Sequence, residues 1–228
     1  MLLRVKALAR RLFPNLLVPP QGAAGVRLSG HREYVGGLWH EIGQLQMDML
    51  LSRGLLPQHY LLDIACGSLR LGVKAIPYLE PGHYLGVEKE QSLIEAGINQ
   101  ELGVLLYREK KPELIVSDSF EFERLSRRPD YVIAQSLFTH LTARDISLCF
   151  AKLRPRMKSS SVFYATFFEA AGKTRNPQQS HARNYFAYTR GEMEEFGISN
   201  GFSATYIGDW NHPRNQKLVE YRPSLART

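Results

Sequence analysis

The chain has 228 residues, of which 44% are hydrophobic and 22% are charged, and its formal net charge is +7 at pH 7. This composition is typical of a packed globular protein and excludes disordered and collagen-like chains. No apolar run approaches the roughly 18 residues that a membrane-spanning helix needs, so we expect no transmembrane segment. Two cysteines, Cys66 and Cys149, are too few for a disulfide scaffold or a cysteine-based zinc site. We therefore expect a reducing, cytoplasmic environment.

The N-terminal residues 1–13 combine cations with an apolar helical stripe. They contain four cations and no acid, and at helical spacing the cations lie opposite the apolar side chains. Such a helix can make a peripheral contact with an anionic membrane surface, or it can dock on its own domain. The Pro- and Gly-rich residues 14–30 predict a linker, so we divide the chain into an arm with its linker over residues 1–30 and one domain over residues 31–228. The remaining charges are spread along the sequence, which argues against a nucleic-acid partner.

After the linker, helical periodicities alternate with short apolar runs. Helices are predicted at residues 38–51, 70–78, 92–102, 142–153 and, behind a capping box at Thr189, 189–197. Strands are predicted at residues 60–65, 83–88, 114–117, 130–135 and 161–168, with a closing antiparallel pair at 202–209 and 217–221. Strands that alternate with helices form a doubly wound, mostly parallel α/β sheet, which binds its ligand at the carboxyl ends of the strands. We expect seven strands, with an antiparallel closing strand.

The stretch from Asp63 to Arg70 carries the clearest binding signal. It leads from a strand into a helix through four small residues, Ala65, Cys66, Gly67 and Ser68. Small residues allow the backbone to approach a ligand closely. The stretch is not the dinucleotide fingerprint, because Gly-x-Gly-x-x-Gly requires glycines where Ala65 and Arg70 stand.

Acidic residues follow the next two strands. Glu88 ends the second strand, and a carboxylate at that position can accept hydrogen bonds from the hydroxyls of a ribose. A solvated surface acid beside Lys89 is the alternative. Asp118 ends the third strand, where it can contact a ligand or cap a turn. Both acids therefore stand at the edge where a sheet of this class binds its ligand.

With these segments in place, the sequence resembles the class I S-adenosylmethionine-dependent methyltransferases over residues 34–221. Four family motifs are matched in the family's order, at residues 63–70, 86–88, 116–119 and 130–136. A bacterial subgroup of small-molecule or sugar-type methyltransferases is matched more narrowly, at residues 66–70, 76–79, 136–141 and 212–216. Ala65 and Leu69 depart from the family's Gly-x-Gly-x-Gly pattern, and Leu69 could reshape the pocket for the methionine part of the cofactor.

The resemblance implies a Rossmann-like domain with S-adenosyl-L-methionine as its cofactor. The expected cofactor-binding residues are Asp63, Ala65, Cys66, Gly67, Ser68, Arg70, Glu88, Lys89, Asp118, Ser119 and Gln135. Asp63, Ala65 and Gly67 would line the methionyl part, and Glu88 would hold the ribose. Asp118 and Ser119 would meet the adenine edge, and Gln135 would lie beside the sulfonium.

Methyl transfer requires a positioned nucleophile and, for a hydroxyl, removal of its proton. His140 follows Gln135 closely and titrates in the range of a general base, although it can equally cap the next helix. His181 lies in the polar residues 169–188, a segment with the length of a substrate loop, and a plain surface histidine is its alternative. We take His140 and His181 as candidate catalytic residues, with O-methylation as the expected reaction.

The residues after the fourth strand exclude two related chemistries. Gln135 and Ser136 offer neither the Asn/Asp-Pro-Pro-Tyr motif of amide and DNA amino-group methyltransferases nor the carboxylates of metal-dependent ones. We therefore expect no catalytic metal and a small-molecule acceptor. Its candidate binding residues are Tyr34, Phe138, His212 and Arg214. A non-catalytic cofactor-binding or interaction module that acts through the basic arm is the alternative to an enzyme.

Overall fold

The structure, a computed structural model, describes residues 20–224 and is built around one mixed β-sheet. The strands are β1 (Leu61–Ile64), β2 (Tyr84–Glu88), β3 (Glu113–Val116), β4 (Tyr131–Ala134), β5 (Val162–Glu169), β6 (Ala187–Tyr188), β7 (Phe202–Asp209) and β8 (Lys217–Pro223). In the order β3-β2-β1-β4-β5-β8-β7, the first five are parallel, and β8 and β7 are antiparallel to their preceding neighbours. The two-residue strand β6 pairs in parallel with the end of β5. The doubly wound α/β sheet with an antiparallel end is therefore confirmed.

Helices pack on both faces of this sheet. They are α1 (Gly22–Ser29), α2 (His31–Tyr34), α3 (Trp39–Ser52), α4 (Gly72–Tyr78), α5 (Gln91–Ala96), α6 (Val104–Lys110), α7 (Ala143–Leu153) and α8 (Arg190–Ile198). A π-helical turn at Gly97–Leu102 continues α5, and 3-10 turns occur at Phe122–Arg124 and Arg154–Arg156. Across residues 20–224, every helix is too short or too polar to cross a membrane.

Each face of the sheet carries its own apolar core. Leu62 and Ile64 of β1 point to one side, where they belong to a cluster with Phe150 of α7. Leu61 points to the other side and packs in a cluster with Leu50 of α3. Successive side chains of a strand face opposite sides, so a parallel strand covered on both faces needs a continuous apolar run. Polar side chains appear where these runs end, and the site lies there.

Two helix starts tie the loops near the site to the sheet. The capping box at Thr189 is confirmed, because Thr189 Oγ1 accepts from the Glu192 N–H and the Glu192 carboxylate accepts from the Thr189 N–H. Thr142 Oγ1 likewise accepts from the N–H of Asp145, but the Thr142 N–H donates to Ser180 Oγ at 2.8 Å. Helix α7 therefore begins in contact with the segment between β5 and β6.

Residues 22–29, within the stretch predicted as a linker, form helix α1. Its Val26 packs in a small apolar cluster with Tyr34 and Leu93. These contacts stabilise the helix, although its glycine-containing sequence has a low helix propensity. The predicted amphipathic arm of residues 1–13, with its contact to a membrane surface, lies outside the described residues.

Candidate functional site

A cavity of about 660 Å³ opens at the carboxyl ends of β1, β2 and β4. Asp63 and Glu88 line it from the strands, and Gln135 lines it from the residue that follows β4. The rest of the lining comes from outside the sheet, including residues 34–36 and 180–183. This volume is typical of a ligand pocket, and its position is where a doubly wound sheet binds ligands.

The turn after β1 brings the backbone to the cavity. Ala65, Gly67 and Leu69 have φ angles of +60°, +57° and +65°, in the left-handed region that glycine adopts most readily. The Ala65 N–H donates to the Val87 carbonyl at 2.8 Å, which fixes the turn against β2. A Cβ added at Gly67 would lie 2.9 Å from Val35 Cγ1. Gly67 therefore allows the segment that contains Val35 to pack closely on this turn.

The side chain of Leu69 points away from the cavity. It is fully buried in the core cluster that includes residues of α3 and α4. Gly72 and Gly97 leave the space that it fills. Leu69 stands where the family pattern has a glycine, and its side chain fills space beneath the turn instead of lining the cavity. The expected reshaping of the cofactor pocket by Leu69 therefore does not occur.

Glu88 is a buried carboxylate held by backbone groups. Its Oε2 accepts from the Gly67 N–H at 3.0 Å, and its Oε1 accepts from the N–H groups of Lys89 at 2.9 Å and Glu90 at 3.0 Å. Burial raises the pKa of Glu88, and these backbone hydrogen bonds and the charge of Lys89 oppose that rise. Oε2 makes one bond and Oε1 makes two, so Oε2 keeps a lone pair for a ligand hydroxyl.

Asp63 is the second buried acid at this edge. It accepts a hydrogen bond from the Tyr84 hydroxyl at 2.7 Å. Burial raises the pKa of Asp63 to about 7, against the lowering effects of the Tyr84 bond and the charge of Arg70, and Glu88 adds to the rise. Asp63 is therefore partly protonated near neutral pH in the ligand-free site.

Arg70 joins the turn after β1 to two other parts of the site. Its Nη1 donates to the carbonyls of Val35 at 3.3 Å and Gly37 at 3.1 Å, and its Nη2 donates to Gln135 Oε1 at 2.6 Å. Its buried Nε has no partner among the described residues. Burial lowers the pKa of Arg70 to about 10, so the guanidinium remains charged. One cation thus holds the segment after α2 and the amide that follows β4.

Two further arginines hold the parts of the chain that cover the cavity. Arg214 donates to the Gly36 carbonyl. The Arg183 guanidinium lies 4.6 Å from the centre of the Tyr34 ring and donates to Ser29 Oγ at 3.2 Å. The Tyr34 hydroxyl accepts from the N–H of residue 22 at 2.9 Å. Helix α1, Tyr34 of α2 and the segment before β6 therefore contact one another beside the cavity, and the loop between β7 and β8 holds the segment after α2.

A hydrogen-bonded ring surrounds Ser136, the second residue after β4. The Ser136 N–H donates to Thr166 Oγ1 at 2.8 Å, and Thr166 Oγ1 donates to Gln216 Oε1 at 2.7 Å. The amide nitrogens of Gln216 and Gln135 each lie 2.7 Å from Ser136 Oγ. Ser136 itself has a φ of +58° and lines the cavity. The ring ties the end of β4 to β5 and to the start of β8.

His140 lines the cavity as a neutral imidazole with a defined tautomer. Its Nδ1 lies 2.8 Å from the Asn184 carbonyl, and because a carbonyl can only accept, Nδ1 carries the proton. Burial lowers the pKa of His140, the Asn184 bond opposes this, and the charges of Lys89, Arg183 and His181 add to the lowering. Nε2 therefore carries a lone pair and has no hydrogen-bond partner within residues 20–224.

Most of the predicted site residues come together in this cavity. Those that line it are Tyr34, Asp63, Ala65, Cys66, Gly67, Arg70, Glu88, Lys89, Asp118, Gln135, His140, His181 and Arg214. His181 Nδ1 accepts from the Arg183 N–H at 3.1 Å. Asp118 and Lys89 are exposed at the edge. Burial raises the pKa of the Cys66 thiol well above its usual range, so this cysteine stays protonated.

Four predicted residues do not line the cavity. Phe138 is wrong as a substrate contact, because its side chain is fully buried and packs against Phe150 and Phe163 in the core. His212 is buried and stacks on Trp210, with its Nε2 3.1 Å from Gln135 Nε2, so it lies behind that amide. Two serines complete this group, the buried Ser68 and the exposed Ser119.

Other lining residues are not among the predicted site residues. Ser136, Gln216, Ser180 and Arg183 come from four separate segments and meet only in the folded chain. Gln46 of α3 also lines the cavity and is 3% exposed. Within residues 20–224, no group of three or more His, Cys, Asp or Glu side chains is placed to hold a metal ion.

No protein-family model matches the chain. Magnesium protoporphyrin IX methyltransferase (ChlM) from Synechocystis PCC 6803 with bound SAH matches with a TM-score of 0.61 at 14% identity, over 96% of this chain and 100% of that chain. The CcbJ methyltransferase from Streptomyces caelestis matches with a TM-score of 0.60 at 12% identity, over 82% and 90%. A S-adenosylmethionine-dependent methyltransferase from Clostridium acetobutylicum ATCC 824 matches with a TM-score of 0.56 at 11% identity, over 97% and 98%. The chain therefore has the α/β fold of the class I S-adenosylmethionine-dependent methyltransferases.

Proposed function

We propose that the chain is a methyltransferase that moves the methyl group of S-adenosylmethionine to a hydroxyl of a small molecule. One observation carries the proposal. A single cavity, in the position where this fold binds ligands, combines a buried carboxylate, Glu88, with a neutral histidine, His140, whose Nε2 lone pair is free within the described chain. The Glu88 carboxylate suits the ribose hydroxyls of a nucleoside, and His140 suits removal of a proton from an acceptor hydroxyl.

The residues present fit this cofactor. The turn after β1 brings its backbone to the cavity, and Glu88 Oε2 keeps a lone pair for a ribose hydroxyl. Asp63 and Ala65 would lie along the methionyl part, and Asp118 would meet the adenine edge. The neighbour ChlM has bound SAH, the demethylated cofactor, in its structure. When bound, S-adenosylmethionine supplies a methyl group activated by a positively charged sulfur.

His140 would act as the general base. The acceptor hydroxyl would donate its proton to Nε2 as its oxygen takes the methyl group, whose bond to sulfur would break with the electron pair left on the demethylated cofactor. The Nδ1–H bond to the Asn184 carbonyl keeps the ring in the tautomer that can accept this proton and stabilises the imidazolium that results. Because burial lowers the pKa of His140, the ring is ready to accept at neutral pH and releases the proton to water afterwards.

The wall of the cavity beyond the strand ends favours an acceptor with an apolar body. Leu137 and Leu141, which follow β4, and Phe168, at the end of β5, line this part. A sugar exposes hydroxyls on most of its carbons and would leave them unpaired against such side chains, at a cost in free energy. A small molecule with a carbon framework and a hydroxyl group therefore fits better than the sugar-type acceptors of the bacterial subgroup.

Calorimetry with S-adenosylmethionine and S-adenosylhomocysteine tests the cofactor, and transfer of a tritiated methyl group to a panel of phenols and aliphatic alcohols tests the reaction. We expect saturable binding of both nucleosides and methyl ether products. ATP is the control ligand, because its triphosphate would lie against the buried acids Asp63 and Glu88 that line the same edge. Absence of binding would overturn the cofactor, and binding with no transfer to any hydroxyl would favour the non-catalytic module.

A further inference from the structure

Ser136 lines the cavity and has no part in the reaction as proposed so far. It is the second residue after β4, and its φ of +58° lies in the left-handed region, which is unfavourable for a residue other than glycine. Strain of this kind is concentrated at functional sites in folded proteins. The turn places the Ser136 hydroxyl between the side-chain amides of Gln135 and Gln216.

The amide of Gln135 has a fixed direction. The Arg70 guanidinium can only donate, and its Nη2 lies 2.6 Å from Gln135 Oε1, so Oε1 accepts there. The amide nitrogen Nε2 then donates to Ser136 Oγ at 2.7 Å. A flipped amide would set its own N–H groups against the guanidinium. Gln135 therefore occupies one lone pair of the Ser136 hydroxyl.

A second chain of hydrogen bonds links Gln216 to Ser136. The Ser136 N–H donates to Thr166 Oγ1, and the Thr166 hydroxyl directs its own proton to Gln216 Oε1 at 2.7 Å. Gln216 Nε2 then donates to Ser136 Oγ at 2.7 Å. Thr166 and Gln216 are both buried, which limits exchange of these partners for water. Gln216 therefore occupies the other lone pair of the Ser136 hydroxyl.

We propose that Ser136 is a specificity-determining residue that donates its hydroxyl proton to an oxygen atom of the methyl acceptor. A serine hydroxyl has two lone pairs and one proton, so with both lone pairs occupied it acts toward the cavity as a donor. No hydrogen bond within residues 20–224 takes up that proton. This inference rests on the proposed methyl transfer and adds to it the class of acceptor: a hydroxyl compound that also carries a carbonyl oxygen.

The oxygen that Ser136 contacts is distinct from the oxygen that is methylated. A hydrogen bond to the reacting oxygen would hold the electron pair that must attack the methyl carbon, and would slow the attack. His140 Nε2 takes the proton of the reacting hydroxyl. The two side chains therefore recognise two different groups, an O–H and a carbonyl lone pair. Phe168, at the end of β5 beside β4, lines the cavity and suits a planar ring that bears both groups.

Matched acceptors test the inference. We would measure kcat/KM for the ortho, meta and para isomers of hydroxyacetophenone and for the ethylphenols of the same substitution. Each pair shares its ring and hydroxyl and differs in the carbonyl oxygen. In the wild type we expect at least one hydroxyacetophenone to be preferred about tenfold, since a hydrogen-bonding site rejects an analogue that lacks the partner atom. In Ser136→Ala that preference should fall to a small residual electronic effect.

Ser180→Ala is the matched control. Ser180 lines the same cavity, but its hydroxyl accepts from the Thr142 N–H and donates to the Asp145 carboxylate, so its proton is already committed. The carbonyl alters the acidity of the phenol equally for every variant, so a change in the preference between variants isolates the hydrogen bond. Ser180→Ala should keep the wild-type preference. Ser136→Gly, which removes the hydroxyl and relieves the left-handed strain, repeats the test if Ser136→Ala folds poorly.

Loss of the preference in the Ser136 variants, with retention in Ser180→Ala, supports the inference. It is overturned if the wild type shows no preference, if the preference survives both Ser136 substitutions, or if no compound of either class is methylated. No methyl transfer to any compound of either class is also a failure of the proposed function, whereas transfer without the expected preference overturns this inference alone. Calorimetry on the same preparations shows whether S-adenosylmethionine is still bound.

Discussion

Leu69 occupies space that Gly97 leaves open. A Cβ built at Gly97 would lie 2.8 Å from Leu69 Cγ and 2.7 Å from the Ser68 carbonyl oxygen. The turn after β1 and the start of the π-helical turn that continues α5 thus contact each other with no room for a methyl group. A leucine at a left-handed position of the turn is accommodated because its neighbour has no side chain.

Gly97→Ala should therefore destabilise the protein by about 1–3 kcal/mol, because the Ser68 carbonyl belongs to the backbone and cannot rotate away. Thermal unfolding should show a fall of roughly 2–4 °C for each kcal/mol in a protein of this size. Gly191→Ala in α8 is the control, since its added Cβ meets nothing within 4 Å. Equal melting temperatures of Gly97→Ala and wild type would show that the contact is not tight.

Glu88→Gln should weaken S-adenosylmethionine binding roughly tenfold to a hundredfold, about 1.5–3 kcal/mol. The substitution removes the charge that the ribose hydroxyl would contact, and the new amide would turn N–H groups toward backbone donors such as Gly67. Calorimetry measures the affinity, and thermal unfolding shows whether the fold is retained. Glu95→Gln, on the exposed side of α5, should bind like the wild type. Unchanged affinity in Glu88→Gln would remove Glu88 from the cofactor site.

The turnover of a hydroxyl acceptor should rise with pH through an apparent pKa below 6.5. Burial lowers the pKa of His140, and only the neutral ring accepts a proton. His140→Ala should lower kcat by about 10²–10⁴ and leave cofactor affinity nearly unchanged. His40→Ala, exposed on α3, is the control. A His140 with a structural role gives a different result, in which melting temperature and cofactor affinity fall together and the pH profile of the remaining activity stays the same.

Asp63 should make the ligand-free protein less stable as the pH rises from about 4 to about 7. Burial raises the pKa of Asp63 from 3.8 to about 7 in the folded chain, so in this range the folded state holds a proton that the unfolded state has released. The free energy of unfolding then falls with increasing pH. Urea unfolding of wild type and Asp63→Asn across this range isolates the effect, because the other groups are shared. A constant difference between the two proteins would contradict the raised pKa.

Methyl transfer should proceed unchanged in excess chelator. The residues after β4 offer no pair of carboxylates, and the described part of the chain holds no cluster that suits a metal ion. The assay compares initial rates with and without EDTA, and then with added magnesium. Loss of activity that magnesium restores would establish a metal-dependent mechanism instead.

The sheet follows from the sequence because its signals are local. The strands β1, β2, β4 and β5 are apolar runs with mostly buried side chains, and β3 is a partly buried strand at the edge of the sheet. The box at Thr189 marks a helix start within four residues. Helix α1 could not be predicted in this way, because Val26 is held by contacts with Tyr34 and Leu93, which lie outside the helix. The two residues of β6 are too few to show any periodicity.

The site also divides into residues with a local sequence signal and residues that are set by contacts between distant parts of the chain. Asp63 and Glu88 could be placed because they end predicted strands. Ser136 could not be singled out, because a left-handed φ has no signature in a serine, and its partner Gln216 is 80 residues away. The prediction for Phe138 failed at this point, since the chain leaves the Ser136 turn with Phe138 directed into the core.

The short strand β6 bears on how this protein can diverge. Residues 170–186 leave the sheet at the end of β5 and return in register, and Asn176 fixes the return through two bonds to the backbone of Ala187. Between these anchored ends, residues 171–175 are exposed. Thr174 Oγ1 also donates to the Ala187 carbonyl, whereas insertions, deletions and exchanges at residues 171–173 leave the pairing of β5 and β6 intact. Natural variation or directed evolution can therefore diversify this loop, next to the cavity, while the nucleoside side of the sheet remains unaltered.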